Sequence, residues 1–316
     1  MPRPNRRRRV SAAVFLSGLL ASAIPASTQA PSLDDVLQRA RAAVTRYQEQ
    51  AALLIADEQC DQKAFESTTE RSNDQFAFRG DLLRVDPRGR RKWQAELAIV
   101  LTPALAAKGY PWTEFRDVIS VDGRPLADRG DRLAHLFLEQ SGWSLARARE
   151  IAEESARFNI GGVPRTINTP AVPLLVLHEV NAARFQFEKS GEEVIEKVRT
   201  WKIDYRERIA PTLISAGVDY CPASGTFWVD PATGEVLRAV LQCVPTKALD
   251  CMNTITVTYR RDVRLGIRLP AEMLEHPEGD STKVSFGEPG RLWVEGKCTY
   301  SNFRRFETAG RMIAPK

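Results

Sequence analysis

From residue 225 to residue 306 the chain runs as short segments in which apolar and polar residues alternate, separated by turn residues. That two-residue period narrows the possible folds more than any other feature. In residues 235–243, Leu237, Ala239, Leu241 and Cys243 alternate with Val236, Arg238, Val240 and Gln242. In TITVTY, Ile255, Val257 and Tyr259 alternate with Thr254, Thr256 and Thr258. Successive strand side chains point to opposite faces, so each segment has one greasy and one wet face, which marks an antiparallel sheet with a single buried face. The pattern predicts strands over residues 184–189, 194–206, 225–230, 235–243, 252–261, 267–273 and 292–306. Asp230, Pro231, Ala232, Thr233 and Gly234 predict a tight hairpin, with Pro231 presetting φ and Gly234 free to turn left-handed.

The preceding half reads differently. Residues 33–58 place Leu33, Val36, Leu37, Ala40, Val44, Tyr47, Ala51, Leu54 and Ile55 at helical spacing, behind Ser32 as N-cap. This predicts a long amphipathic helix whose apolar stripe covers a sheet. Residues 58–70 turn extended, and residues 71–92, rich in arginine with Pro87 and Gly89, predict a connection between strands. Residues 93–101 and 112–121 predict strands, the second ended by a turn at 122–125. Helical patterns follow over residues 131–139, 145–158 and 170–178. Such a block either packs on the sheet or forms a small helical subdomain. The fold class expected is α+β: a strongly curved antiparallel sheet wrapped around its helices.

Residues 1–30 read as a signal peptide. Arg6 to Arg9 form a positive region, VSAAVFLSGLL an apolar stretch too short to span a membrane comfortably, and small residues follow from Ala21 to Ala30. The expected product is a periplasmic or secreted bacterial protein, soluble after cleavage, with no transmembrane span in the mature chain. The formal charge of +5 comes from that segment, which holds five arginines and no acid. The remainder balances 40 basic against 40 acidic residues, so charge gives no reason to expect nucleic acid. Cys60, Cys221, Cys243, Cys251 and Cys298 include no C-x-x-C pair, which excludes zinc ribbons and thioredoxin chemistry. Cys243 and Cys251 flank a turn between two strands and are expected to form a disulfide, or else to remain two buried thiols.

The segment GTFWVDPATGEVLRAVL (residues 225–241) resembles the strand, turn and strand of the LolA/LolB-like lipoprotein-carrier superfamily. ITVTYRRDVRLGIRLPAEM (255–273), GKCTYSNFRRFET (296–308) and FRDVISVDGRPL (115–126) are similar to segments of uncharacterised secreted bacterial proteins related to that fold. The resemblance implies an open half-barrel whose concave face, lidded by helices, holds acyl chains or other apolar ligands; some members sense or scaffold instead. It places a helical insertion of about residues 128–180 on the concave face of a single domain, residues 31–316.

No motif for catalysis emerges. His135, His178 and His276 form no zincin pattern, and there is no nucleophile elbow, P-loop or G-x-G-x-x-G. Glu153 with Glu154 and Glu192 with Glu193 are adjacent pairs whose side chains diverge, as solvated surface does. The expectation is a non-enzyme with no catalytic residue, metal or cofactor. Leu174, Leu175 and Leu177, with Phe185, Phe187, Phe227 and Trp228, are the candidate lining of an apolar pocket, or an ordinary core. The basic stretch 79–92 is a candidate for anionic lipid head groups or an acidic partner. The partners expected are an apolar ligand or lipid, or an envelope protein bound through the sheet.

Overall fold

The computed structural model describes residues 30–52, 54–70, 82–127, 133, 145–161, 165–216, 219–243, 251–280 and 290–305. The expected signal peptide and the expected helix at 131–139 lie outside the described residues, apart from Ala30 and Leu133. Every element below belongs to the unit Ser32–Lys316.

Helix α1 spans Leu33–Ala51. Ser32 and Asp35 form a capping box: Ser32 Oγ accepts from Asp35 N at 3.2 Å and Asp35 Oδ2 from Ser32 N at 3.0 Å. Val36, Leu37, Ala40, Val44, Tyr47 and Ala51 are buried along one stripe. The helix stops seven residues short of the expected end at residue 58, because Leu54 and Ile55 belong to a strand covered on both faces. Leu54 joins the main core and Ile55 a separate apolar cluster, so their spacing suits either element.

Thirteen strands follow among the described residues: β1 (Leu54–Glu70), β2 (Leu82–Leu101), β3 (Trp112–Val121), β4 (Arg124–Pro125), β5 (Phe185–Ile195), β6 (Val198–Glu207), β7 (Ile214–Ala216), β8 (Asp219–Cys221), β9 (Ala223–Val229), β10 (Val236–Cys243), β11 (Cys251–Asp262), β12 (Ile267–Asp280) and β13 (Gly290–Arg305). Eleven form one open sheet in the order β4-β3-β2-β1-β13-β12-β11-β10-β9-β6-β5, and β7 and β8 form a separate ribbon. All the pairings are antiparallel, as the alternation predicts.

The stretch 82–92, expected in a connection, is strand instead. β2 pairs with β1 along its whole basic part, from Asp61 opposite Lys92 to Glu70 opposite Leu82. Cross-strand charge explains how so polar a segment stays in a sheet: Arg90 pairs with Asp61 and Arg88 with Glu66. A bulge also corrects the face of one residue. The β9–β10 register shifts between Val236 and Arg238, so Leu237 turns away from Ala239 and Leu241 and packs with Ile195 and Trp228.

The sheet bends. In its order β3 and β6 stand eight places apart, roughly 38 Å in a flat sheet at about 4.8 Å per strand. Yet the Tyr110 hydroxyl, just before β3, donates to the carbonyl of Leu213, just after β6. One continuous core joins α1 to residues of β2, β6, β9, β10, β11, β12 and β13, including Leu97, Ile203, Phe227, Leu241, Ile255, Leu269 and Tyr300.

The inserted helical block does not pack on that concave face as one body. Its helix α3 (Leu145–Ala156; α2 is the short Pro103–Ala106) lies along β3. Ile151 joins Ile55, Ala98, Val100, Phe115 and Leu133 in a cluster apart from the main core. Ala98 and Val100 alternate along β2 with core-facing Leu97 and Ile99, which puts this cluster on the opposite face. Ser155 Oγ accepts from the backbone N of Arg116 at 3.0 Å, covering the outer edge of β3. The expected helix at 170–178 is a 3₁₀ turn, Val172–Val176, buried in the main core; α4 (Glu179–Ala182) follows it.

The hairpin at 230–234 forms as its chemistry predicts. Gly234 has φ +77°, its N donates to Asp230 O at 2.8 Å, and Asp230 N donates to Glu235 O at 2.9 Å. The turn also docks on α1: Arg39 Nη1 donates to Pro231 O at 2.6 Å, and a Cβ on Gly234 would stand 2.2 Å from the Arg39 carbonyl carbon. Gly266 has a similar φ of +71° but nothing within 4 Å of such a Cβ. Gly266→Ala is therefore expected to cost about 1 kcal/mol, the left-handed strain alone, and Gly234→Ala at least about 3 kcal/mol, strain plus displacement of α1. Urea midpoints of the two variants check this; equal losses would refute the docking role.

Candidate functional site

Between α1 and the ends of β10, β11 and β12 lies a cavity of about 320 Å³. The α1 stripe continues into it as Ala43, Val44 and Tyr47, and the hairpin that docks on α1 delivers Thr233, Glu235 and Val236. Tyr259, Ile267 and Leu174 of the 3₁₀ turn complete the apolar wall, with Arg46, Arg261 and Arg268 at the rim. Glu235 accepts from Arg261 and, at 3.0 Å, from Nε of Arg268. Tyr259 Oη donates to Pro170 O at 2.7 Å, and the buried Tyr47 hydroxyl has no partner. Burial pushes both phenols well above their ordinary range.

Of the residues the sequence singles out, Leu174 lines this cavity. Leu175, Leu177, Phe185 and Phe227 are buried in the main core, and Phe187 packs half-buried against it. Phe185 and Phe227 flank Tyr205, which stacks on Phe227 with ring centroids 4.8 Å apart. Trp228, next to Phe227 in the strand, faces the other way. It packs on Ile195 and Leu237, and its Nε1 donates to Glu193 Oε2 at 2.6 Å. Glu192 pairs with Lys189 at 2.7 Å, and Glu153 and Glu154 are exposed. His178 contacts Gln48 at 2.8 Å and His276 lies 3.8 Å from Glu278, while His135 is outside the described residues.

The disulfide expectation is corrected. Cys243 bonds to Cys221, with Cα atoms 5.6 Å apart, and Cys60 bonds to Cys298. Opposite Cys243 stand Asn253 on β11 and Ala223 on β9, so Cys251 and Cys221 lie equally two residues beyond, and the bond forms on the β9 side. Glu58 comes together with Cys60 and Cys298, but both sulfurs are held in the disulfide, which leaves no thiolate for a metal.

A buried polar network lies beneath the insertion, and nothing in the sequence pattern signals it. Arg116 of β3 and Glu58 of β1 pair with both side chains fully buried. Arg116 Nη2 also donates to Asn168 O at 2.8 Å and Nη1 to Ser155 O at 3.2 Å. Arg165 pairs with Glu275 of β12 at 3.0 Å. Gln62 Oε1 accepts from Ile160 N at 3.0 Å, and Asn168 Nδ2 donates to Asn159 Oδ1 at 2.8 Å. Nearby, Glu114 Oε2 accepts from Ala171 N at 2.9 Å while its Oε1 has no partner. Desolvation outweighs the hydrogen bonds from Thr169 and Ala171 and the charge of Arg116, raising the Glu114 carboxyl from 4.5 to about 7.

No protein-family model and no curated protein matches this chain. Among solved structures it is similar to a DUF1329 family protein from Desulfovibrio piger, at 11% identity and TM-score 0.31 over 87% of this chain and 95% of that one. It is similar to a domain assigned to outer membrane lipoprotein sorting from Vibrio parahaemolyticus, at 9% identity and TM-score 0.28 over 87% and 95%. A third likeness is to the MucA/MucB complex of Pseudomonas aeruginosa, at 11% identity and TM-score 0.19 over 85% and 99%. At such TM-scores none of them carries an argument about the ligand of this chain.

Two stability measurements probe the network. Truncating Arg116→Leu leaves Glu58 charged and dry, so a loss of about 3–5 kcal/mol is expected, with Glu58→Met/Arg116→Leu recovering much of it. A double variant as unstable as the single one would contradict the pairing. The folded Glu114 keeps its proton to about pH 7 whereas the unfolded one releases it near 4.5, so its stabilising contribution is complete below 4.5 and is lost as pH rises toward 7. Glu114→Gln is expected to remove up to about 3 kcal/mol of that slope, read from urea melts across pH 4.5–7.5. An unchanged slope would refute the shift.

Proposed function

We propose that this chain is an exported, non-enzymatic binder of a lipid, acyl chain or other apolar ligand in the cell envelope, with residues 31–316 as one half-barrel domain. The observation that carries the reading is the cavity of about 320 Å³ under α1, walled by Val44, Tyr47, Leu174, Val236, Tyr259 and Ile267. Its volume stands at the low end of small-molecule sites, and its wall is mixed: those six apolar and aromatic residues share it with Arg46, Gln50, Thr233, Glu235, Arg261 and Arg268. Moving hydrocarbon from water into it releases roughly 25 cal/mol per Å² buried. Two disulfides fit an oxidising compartment outside the cytoplasm. No helix among the described residues is long and apolar enough to cross a membrane.

A second reading, a sensing or structural module that binds an envelope protein, is favoured by one feature. At one end of the sheet the short β4 and α3 cover the edge of β3, whereas at the other the outer edge of β5 meets no strand among the described residues.

Protein purified from its own envelope and analysed by native mass spectrometry with organic extraction is expected to carry a lipid. Ala43→Trp, which fills the cavity from α1, is expected to abolish both the lipid and the binding of an apolar fluorophore. An empty protein that binds no such probe, recovered with a stoichiometric protein partner, would replace the carrier reading with the module reading.

A further inference from the structure

The rim of the cavity under α1 is dominated by one sign of charge. Arg46, Arg261 and Arg268 line it against a single carboxylate, Glu235. Arg268 is held from both sides, by Glu235 and by Glu196 at 3.0 Å each, and is only 12% exposed. Its role is to fix the strand ends. Arg261 shares Glu235 with it and remains 52% exposed. Arg46 stands exposed on α1, and no carboxylate pairs with it among the described residues. The mouth therefore offers two exposed guanidiniums, Arg46 with no carboxylate partner among the described residues and Arg261 sharing Glu235 with Arg268. A guanidinium fork matches a carboxylate or phosphate with parallel donors, which an alcohol or ammonium head cannot exploit.

We propose that the occupant is a single-chain anionic amphiphile, its chain lying on Val44, Tyr47, Leu174 and Ile267 and its carboxylate or phosphate held by Arg46 and Arg261. The proposal rests on the apolar-ligand reading above and adds the sign of the head group and the number of chains. A cavity of about 320 Å³ stands at the low end of small-molecule sites, which suits one chain rather than a multiply acylated lipid.

The test uses four probes of equal chain length at pH 8 and low salt: dodecanoate, dodecyl phosphate, dodecanol and dodecyltrimethylammonium. Each is titrated below its micellar concentration against a bound apolar fluorophore. The better anion is expected to bind about tenfold more tightly than dodecanol, from two partly exposed ion pairs, and the cation more weakly than dodecanol. Whichever anion leads identifies the head group. In Arg46→Gln/Arg261→Gln the ratio of anion to alcohol affinity is expected to fall to about twofold, and 1 M salt to narrow it likewise. Arg46→Gln alone, which removes no ion pair among the described residues, is expected to lower the ratio about threefold and serves if the double variant is unstable. Equal binding of all four probes, or a preference that survives both substitutions, overturns the proposal and leaves the apolar reading standing. Failure of every probe, dodecanol included, overturns both.

Discussion

The buried ion pair between Arg116 and Glu58 decides where the rest of the molecule goes. The two residues belong to β3 and β1, with Trp93 of the intervening β2 donating to Glu58 Oε2 at 3.3 Å and lying 5.5 Å from the Arg116 guanidinium. Neither charge has water, so each is tolerable only while the other is in place. The remaining donors of Arg116 are then turned outward, onto the carbonyls of Ser155 and Asn168. Those two contacts fix the end of α3 and the return of the chain toward the core. Six residues after Asn168 comes Leu174, a wall of the cavity. The ion pair thus reaches the candidate site through the path of the insertion, without touching it.

The same network shows why part of the fold was legible in the sequence and part was not. Strands such as β11 and β13 could be read because a single buried face leaves a period of two, and the 230–234 hairpin because its turn chemistry is local. The concave face beneath the insertion breaks that code. Glu58, Gln62, Arg116 and Glu275 occupy inward positions where an apolar residue is the rule, and each looks like surface until its partner from a distant segment is known. Likewise the arginines of β2 look like a loop because their partners, Asp61 and Glu66, lie across a hairpin. The face of Leu237 was lost to a one-residue bulge, and the partner of Cys243 to which neighbouring strand it bonds across, neither of which composition can encode.

The candidate site was half legible for a related reason. Large apolar residues signal burial, and Leu175, Leu177, Phe185 and Phe227 are indeed buried, but burial marks a filled core as readily as a ligand wall. What distinguishes the cavity is where elements distant in sequence meet, α1 with the ends of β10, β11 and β12, which no local pattern encodes. Ala43 on α1 borders it, whereas Gly266, which also borders it, lies in the exposed turn before β12.

The distribution of filled and empty space along the sheet follows from which residues each strand turns inward. Toward β5, β6 and β9 the inward residues are Phe185, Tyr205 and Phe227, whose rings pack against one another and close the trough with protein. Toward β1, β12 and β13 the polar network, with Asn159, Ile160, Arg165 and Asn168, occupies it. Between them, α1 crosses β10, β11 and β12, held off by the backbone contact of the hairpin turn at Arg39. A hairpin turn seated against the backbone of the helix limits how closely α1 can settle on the strands, and leaves a gap that interior packing would otherwise remove. The empty volume is therefore a consequence of the Asp230-to-Gly234 turn as much as of the residues that line it.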